Sequence, residues 1–252
     1  PDTVVEAADR WLRLVLRSAD QAVCISRTVA AELKDWSSHV EVTRDIPLQI
    51  DSWPLGADIE ASKPSSEDME GGEEILAKLS QRPSVLMVGT IEPRKGHDQA
   101  LAAFTELWKR GTDVNLVIIG KAGWNVDELL ARLRTMASNE PRLIWCDNAS
   151  DAFLQKVYAA SGGVLVASRG EGFGLPIIEA RAHGKPVLAR DLPVFREVAN
   201  DTASFFSAIT GEKLANAILE WMVQWPTLNV EASFEATTWK ASAAALLRKM
   251  NV

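Results

Sequence analysis

Five short, largely apolar runs constrain the fold of this chain more than any other feature of its sequence. The runs span residues 84–89, 114–120, 142–146, 162–168 and 186–190. Stretches of helical period separate them, and a further run ends the series at 203–206. Strands that are apolar along their whole length are typical of parallel sheets, because helices cover both faces of such sheets. The pattern therefore predicts an α/β fold, a Rossmann-like parallel sheet with helices on both faces.

The stretches between the runs carry apolar residues at helical spacing. In residues 97–110 this stripe consists of Ala100, Leu101, Phe104, Leu107 and Trp108. Residues 126–137 repeat the pattern, and residues 213–225 and 238–250 predict two further amphipathic helices. Such stripes are typical of helices that pack on a core.

Composition excludes several classes of protein. Among 252 residues, 27 Lys and Arg stand against 34 Asp and Glu, which gives a net charge of −7 and disfavours a nucleic-acid surface. No apolar run is long enough to cross a bilayer, and the first residues lack the pattern of a signal peptide. Cys24 and Cys146 have no metal-binding or disulfide spacing. We therefore expect a cytoplasmic protein.

The chain divides at an acidic segment rich in Ser, Gly and Pro. We assign residues 54–83 to an interdomain crossing and flexible acidic linker, and residues 84–230 to the Rossmann-like domain. Residues 1–53 predict little more than a strand at 19–26, a helix from residue 27 and a candidate strand at 40–48. So short a segment cannot bury a core of its own, so we interpret it as the tail of another domain.

The segment GTIEPRKG, residues 89–96, places adjacent cations at the end of a strand. Ligands of open α/β sheets bind at the carboxyl ends of strands, and Arg94 and Lys95 there could neutralise a diphosphate. The alternative is a solvated basic turn, because Arg-Lys pairs are common.

The segment EGFGLPIIE, residues 171–179, combines two glutamates with the start of a helix. Gly172 and Gly174 allow a ligand to approach the backbone, and the helix that follows favours an anion at its first turn. Glu171 and Glu179 would repel phosphate, but they would accept hydrogen bonds from hydroxyl groups. A nucleotide sugar offers both kinds of group, although Glu179 could also be an ordinary first-turn acid and Glu171 a loop acid.

These motifs together resemble one known family. With LVIIGKAGW, RLIWC and GKPVLARDLPVFREVA, they are similar to the carboxyl-terminal donor-binding domain of retaining GT-B glycosyltransferases of family four, in particular bacterial mannosyl- and rhamnosyltransferases. The resemblance covers about residues 84–250. It implies two Rossmann-like domains that face a cleft, of which residues 1–53 are a remnant of the first. It also implies that a helix in residues 231–252 packs back toward that first domain.

The resemblance also implies roles for individual residues. Arg94 and Lys95 would bind the diphosphate, Glu171 would face the donor sugar and Glu179 would accept hydrogen bonds from the ribose. The remaining donor-binding positions are Gly89, Thr90, Gly120, Phe173, Gly174 and Leu175. Many relatives carry an arginine at the position of Thr90, so the contact made by Arg94 stays open.

The expected activity is transfer of a sugar, with mannose from GDP-mannose as our first hypothesis, to a growing polysaccharide or lipid-linked saccharide. We expect no cofactor and no metal, because the nearest approximation to Asp-x-Asp, residues 58–60, lies in the linker. The resemblance suggests peripheral contact with the inner membrane, whereas a net charge of −7 gives no support for attraction to anionic lipid. Two alternatives remain: a nucleotide-sugar-binding fragment without activity, and a sugar-nucleotide epimerase.

The histidines and tryptophans have simpler interpretations. We expect His97 to be an exposed residue at a helix start, His183 a packing or helix-end residue, and His39 a turn residue. We expect Trp239 to face a core, whereas Trp124 follows a strand end and could border the nucleotide site.

Overall fold

A computed structural model describes residues 2–56, 71–228 and 237–250. The chain forms two compact units, which are described separately. The smaller unit combines residues 1–57 with residues 237–252, and the larger unit comprises residues 58–236.

The larger unit contains a six-stranded sheet whose order is β5-β4-β3-β6-β7-β8. Every neighbouring pair of these strands is parallel. The strands are β3 (Ser84–Val88), β4 (Asn115–Ile119), β5 (Leu143–Cys146), β6 (Gly163–Val166), β7 (Val187–Arg190) and β8 (Ser204–Phe206). In register, Leu86 of β3 lies opposite Val117 of β4 and Val164 of β6. The predicted fold class is confirmed.

Helices before and after these strands cover both faces of the sheet. They are α3 (Gly72–Gln81), α4 (His97–Lys109), α5 (Asp127–Asn139), α6 (Asp151–Ala160), α7 (Leu175–Ala182), α8 (Pro193–Ala199) and α9 (Gly211–Gln224). Phe104 and Trp221 are buried in the apolar cluster on one face, and Phe153 and Phe195 in the cluster on the other. The two clusters account for the uninterrupted apolar character of the central strands.

The smaller unit contains α1 (Asp2–Ser18), β1 (Gln21–Cys24), α2 (Arg27–Ser38), β2 (Gln49–Ser52) and α10 (Trp239–Lys249). Strands β1 and β2 are parallel. Helix α10 joins them through hydrogen bonds: the Trp53 indole donates to Ser242 Oγ at 2.8 Å, and the Ser242 hydroxyl donates to the carbonyl of Pro54 at 2.8 Å. Lys249 also forms an ion pair with Asp51 at 3.2 Å.

Several expectations for this unit and the linker are wrong. The second strand begins after Pro47 rather than at 40–48, since proline cannot donate to a strand ladder. Residues 72–81 form helix α3 rather than flexible linker, with Leu79 buried. Trp239 is 47% exposed and does not face a core.

Helices α1 and α8 were not predicted from the sequence. The linker assignment for residues 57–70 and the domain end at 229–236 lie outside the described residues. No helix in the described part of the chain combines the length and apolar character needed to cross a membrane.

Close packing at the start of β6 requires a small residue. A Cβ atom on Gly163 would lie 2.6 Å from the ring of Trp221, which is 2% exposed. We expect Gly163→Ala to lower the free energy of unfolding by about 1–3 kcal/mol, because the indole is held in a packed core. Chemical denaturation measures this change.

Gly170→Ala is the matched control, because nothing lies within 4 Å of a Cβ atom at that glycine. Its stability should change by at most about 1 kcal/mol. Equal stability of the Gly163→Ala variant and the wild-type chain would contradict the packing described here.

Candidate functional site

The order of the sheet reverses between β3 and β6. From β3 the chain continues to β4 and β5 on one side and then returns to β6 on the other. At such a reversal, open α/β sheets have a crevice outside the carboxyl ends of the two strands, here β3 and β6. This is the position at which open α/β sheets bind ligands.

The loop after β3 turns sharply at two glycines. Gly89 has φ +136°, and the 3-10 turn Pro93–Lys95 ends at Gly96, which has φ +76°. A Cβ atom on Gly96 would lie 2.3 Å from the carbonyl oxygen of Ala167, in the loop after β6. Gly96 thus brings the two loops into backbone contact and directs Arg94 and Lys95 toward the second loop.

Hydrogen bonds join the same two loops. The backbone N–H of Arg169 donates to the carbonyl of Arg94 at 2.6 Å, and the Arg94 guanidinium donates to the carbonyl of Gly170 at 3.2 Å. The Arg190 guanidinium, at the end of β7, donates to the carbonyls of Ala167 and Ser168, each at 3.1 Å. These contacts hold the loop after β6 on both sides.

Glu171 pairs with both cations of the first loop. Its carboxylate lies 2.8 Å from Arg94 Nη1 and contacts Lys95 Nζ, and it accepts a hydrogen bond from Ser168 Oγ at 3.0 Å. Arg94 also pairs with Glu92 at 3.0 Å. The side chain of Glu171 is 12% exposed, that of Lys95 is 16% exposed and that of Arg94 is 45% exposed. The site therefore consists of a recessed carboxylate and ammonium beside a solvent-accessible guanidinium.

The charge of this cluster controls the titration of Glu171. Burial raises the pKa of the carboxyl, but the hydrogen bond and charge of Lys95, together with Arg94, outweigh burial and hold the pKa below its usual value. A carboxyl whose pKa is lowered on folding stabilises the fold at neutral pH. That stabilisation is lost as the pH falls through the folded-state pKa.

Helix α7 begins in the crevice at Gly174, which has φ +106°. A side chain there would meet the ring of Phe195 at 2.8 Å. Phe173 is buried, and Leu175 is the first residue of the helix. The free N–H groups at the start of such a helix attract anions.

Glu179 lies in the middle of α7 and accepts a hydrogen bond from the hydroxyl of Tyr158 at 2.6 Å. Burial raises the pKa of Glu179 above its usual value, against the opposing effect of that hydrogen bond. Tyr158, on α6, is completely buried, and its pKa is also raised, chiefly by burial. Sequence reasoning missed Tyr158, because its only signal was one position in the apolar stripe of a helix.

The ends of β3 and β4 lie against each other. A Cβ atom on Gly120 would approach the carbonyl oxygen of Gly89 to 2.0 Å and the backbone nitrogen of Thr90 to 3.3 Å. Gly120 also donates to the carbonyl of Cys146 at 2.9 Å, at the end of β5. The structure thus brings Gly89, Thr90 and Gly120 together at the carboxyl ends of β3 and β4, where Lys95 also lies.

The sequence profile described as glycosyl transferases group 1 matches residues 72–233, more than half of the chain. The chain belongs to this family. Serotype-specific mannosyltransferase WbdA of Escherichia coli is 41% identical over 261 aligned residues, which cover 100% of this chain and 32% of that protein. The chain thus spans about a third of the length of this relative.

Solved structures of other proteins share the fold of this chain. Sucrose-phosphate synthase of Thermosynechococcus elongatus superposes with a TM-score of 0.70 at 22% identity, over 94% of this chain and 59% of that one. Anabaena HepE in complex with UDP and glucose superposes with a TM-score of 0.72 at 17% identity, over 95% of this chain and 65% of that one. At these identities the likeness concerns the fold alone.

The histidines have structural positions in this group 1 chain. His97 is 2% exposed, so the expectation of an exposed residue is wrong. Burial, followed by the charge of Lys95, lowers its pKa to about 4, so His97 is neutral at pH 7. His183 caps the end of α7, as expected, and its ring stacks on Tyr158 with centroids 4.8 Å apart. His39 is exposed at the end of α2, where the sequence placed a turn.

Trp124, in the loop after β4, is 57% exposed. Within residues 2–56, 71–228 and 237–250, no three His, Cys, Asp or Glu side chains come together in a way that could hold a metal ion.

Removing Lys95 should reverse the pKa shift of Glu171. In Lys95→Met the burial of the carboxyl remains while the adjacent ammonium is lost, so we expect the pKa of Glu171 to rise. Carboxyl ¹³C NMR during a pH titration measures this shift. Lys109→Met, at the exposed far end of α4, is the control and should leave Glu171 unchanged. An unchanged Glu171 pKa in Lys95→Met would show that the two groups do not interact.

Proposed function

We propose that this chain supplies the donor-binding part of a retaining glycosyltransferase that transfers mannose from GDP-mannose to a growing polysaccharide or lipid-linked saccharide. The larger unit would bind the nucleotide sugar in the crevice between the loops after β3 and β6. The observation that carries the proposal is the pairing of Arg94 and Lys95 with Glu171 in that crevice.

The two cations match the chemistry of a departing diphosphate. When the bond between the sugar C1 and the phosphate oxygen breaks, its electron pair and negative charge remain on the nucleoside diphosphate. Arg94 and Lys95, together with the first N–H groups of α7, would stabilise that charge. Such groups accelerate transfer because they act more strongly on the transition state than on the bound donor.

In the proposed complex the diphosphate replaces Glu171 as the partner of the cations. The released carboxylate is an acceptor of hydrogen bonds and suits the hydroxyl groups of the donor sugar. Glu179 would accept from the ribose, and the backbone of residues 173–175 would contact the sugar and phosphate. Gly89, Thr90 and Gly120 would contact the nucleotide where β3 and β4 end.

The sugar is proposed from the relatives. WbdA is named a mannosyltransferase, and its 41% identity extends across this whole chain. Another relative, which aligns with 49% of this chain at 32% identity, is the O-antigen chain mannosyltransferase B of Escherichia coli. These relatives support mannose as the transferred sugar. We further propose GDP-mannose as the donor, and a saccharide acceptor reached from the cytoplasm with peripheral contact to the inner face of the membrane.

Binding of nucleoside diphosphates tests the proposed site directly. We expect calorimetric titration with GDP, UDP and ADP to show preference for GDP, and Lys95→Ala to abolish that binding without unfolding the chain. Lys109→Ala should bind like the wild-type chain, because Lys109 lies at the opposite end of α4. Unimpaired binding by Lys95→Ala would contradict the assignment.

The same substitution in the longer protein separates transfer from mere binding. There we expect Lys95→Ala to lower kcat by about 10²–10³-fold, as the loss of one group that stabilises developing charge does in other enzymes. Interconversion of free nucleotide sugars without an acceptor would instead indicate an epimerase. Binding of nucleotide sugars without either reaction would indicate an inactive binding module.

We also propose that donor binding needs no metal, because the cations of the protein would supply the charge that a divalent ion supplies elsewhere. The expected result is the same affinity for GDP in EDTA as in magnesium chloride or manganese chloride, measured by titration of the chain. Binding that appears only with one of the metals would overturn this part of the proposal.

A further inference from the structure

Tyr158 is the single tyrosine of the chain, and the proposed function assigns it no role. It lies on α6, is completely buried, and donates its hydroxyl hydrogen to Glu179 Oε2 at 2.6 Å. Glu179 is 21 residues further along the chain, on α7. The contact therefore depends on how the two helices pack.

We infer that Tyr158 is a positioning residue for ribose recognition: by occupying Oε2 of Glu179, it presents Oε1 as an acceptor for the ribose hydroxyl groups of the donor. The inference rests on the proposed function, since it assumes that Glu179 accepts from the ribose. It extends that function by naming a residue that makes Glu179 selective for ribose over deoxyribose.

The tyrosine ring is held in place by His183, at the end of α7. The His183 ring stacks on it at an interplanar angle of 16°, and His183 Nδ1 lies 2.8 Å from the backbone carbonyl of Glu179. The tyrosine ring is thus held by the end of α7, and its hydroxyl by a carboxylate in the middle of the same helix. A ring fixed in this way cannot turn its hydroxyl aside without disturbing the helix end.

The hydrogen bond also favours the form of Glu179 that accepts hydrogen bonds. Burial disfavours the carboxylate, and the nearby charge of Asp151 acts in the same direction, whereas the Tyr158 hydroxyl, His183 and Lys95 favour the carboxylate. An ionised carboxylate only accepts hydrogen bonds, which suits the O–H donors of the ribose. Tyr158 is the group among these that touches the carboxylate directly.

Removal of the tyrosine hydroxyl tests the inference. Wild-type chain and Tyr158→Phe are titrated with GDP and UDP, each beside its 2′,3′-dideoxy analogue. In the wild-type chain we expect the ribonucleotide to bind at least about tenfold more tightly than the analogue, since it makes hydrogen bonds to a charged group. In Tyr158→Phe this ratio should fall toward one, through weaker binding of the ribonucleotide alone.

Ser161→Ala is the matched control. Ser161 ends the same helix, is 2% exposed, and donates its hydroxyl to the carbonyl of Val157 at 2.7 Å, so its substitution also removes one buried hydroxyl from α6. It should retain the wild-type ratio. In a Glu179→Gln background, Tyr158→Phe should have no further effect on the ratio, because the two residues act through one contact.

A second measurement leaves the protein unmutated. Because Tyr158 is the only tyrosine, ¹³C labelling at tyrosine Cζ gives a single resonance. We expect GDP to shift this resonance and 2′,3′-dideoxy-GDP to leave it near its position in the free chain. A tyrosine that only filled space in the core would not report on ribose hydroxyls.

The outcomes separate the inference from the function on which it rests. If wild-type chain prefers ribonucleotides and Tyr158→Phe keeps that preference, or if the resonance responds equally to both nucleotides, Tyr158 has no positioning role while the donor site stands. If wild-type chain binds none of the four nucleotides, the proposed function fails and the inference fails with it.

Discussion

The backbone contact between the loops after β3 and β6 is the constraint on which the rest of the site depends. Gly96 allows it, because any Cβ atom at that position would collide with the carbonyl of Ala167. The N–H of Arg169 then reaches the carbonyl of Arg94. With the loops held together, the two cations of one segment meet the carboxylate of the other. A charged cluster results from residues more than 70 positions apart in the chain.

Much of the larger unit could be predicted from the sequence, because strands that are buried on both faces consist of uninterrupted runs of apolar residues. The wrong or missing predictions concern segments whose apolar pattern is weak. Residues 72–81 contain only a few apolar residues among acids and small residues, so their sequence does not distinguish helix α3 from the acidic linker before it. Helix α8 has seven residues, too few for a clear period. In the smaller unit, residues 40–48 suggested a strand, but β2 begins only at Gln49, after Pro47.

The candidate site was predictable to the extent that single segments carry its chemistry. Arg94 and Lys95 stand together in the sequence, and Glu171 and Glu179 flank a turn into a helix. The pairing of Glu171 with both cations and the hydrogen bond from Tyr158 to Glu179 arise instead from packing between distant segments. The burial of His97 is of the same kind, since the local sequence resembles an exposed helix start. Local patterns specify side-chain types, whereas tertiary contacts determine what those side chains face.

The smaller unit is assembled from separate parts of the chain, and this has a consequence for synthesis on the ribosome. Strands β1 and β2 obtain their contacts to α10 only after the whole six-stranded sheet has been translated. At ordinary rates of translation that delay is roughly ten seconds or more. The larger unit is contiguous in the chain, so it can fold before α10 is available to β1 and β2. The contacts of Trp53 and Asp51 with α10 are therefore absent during this interval.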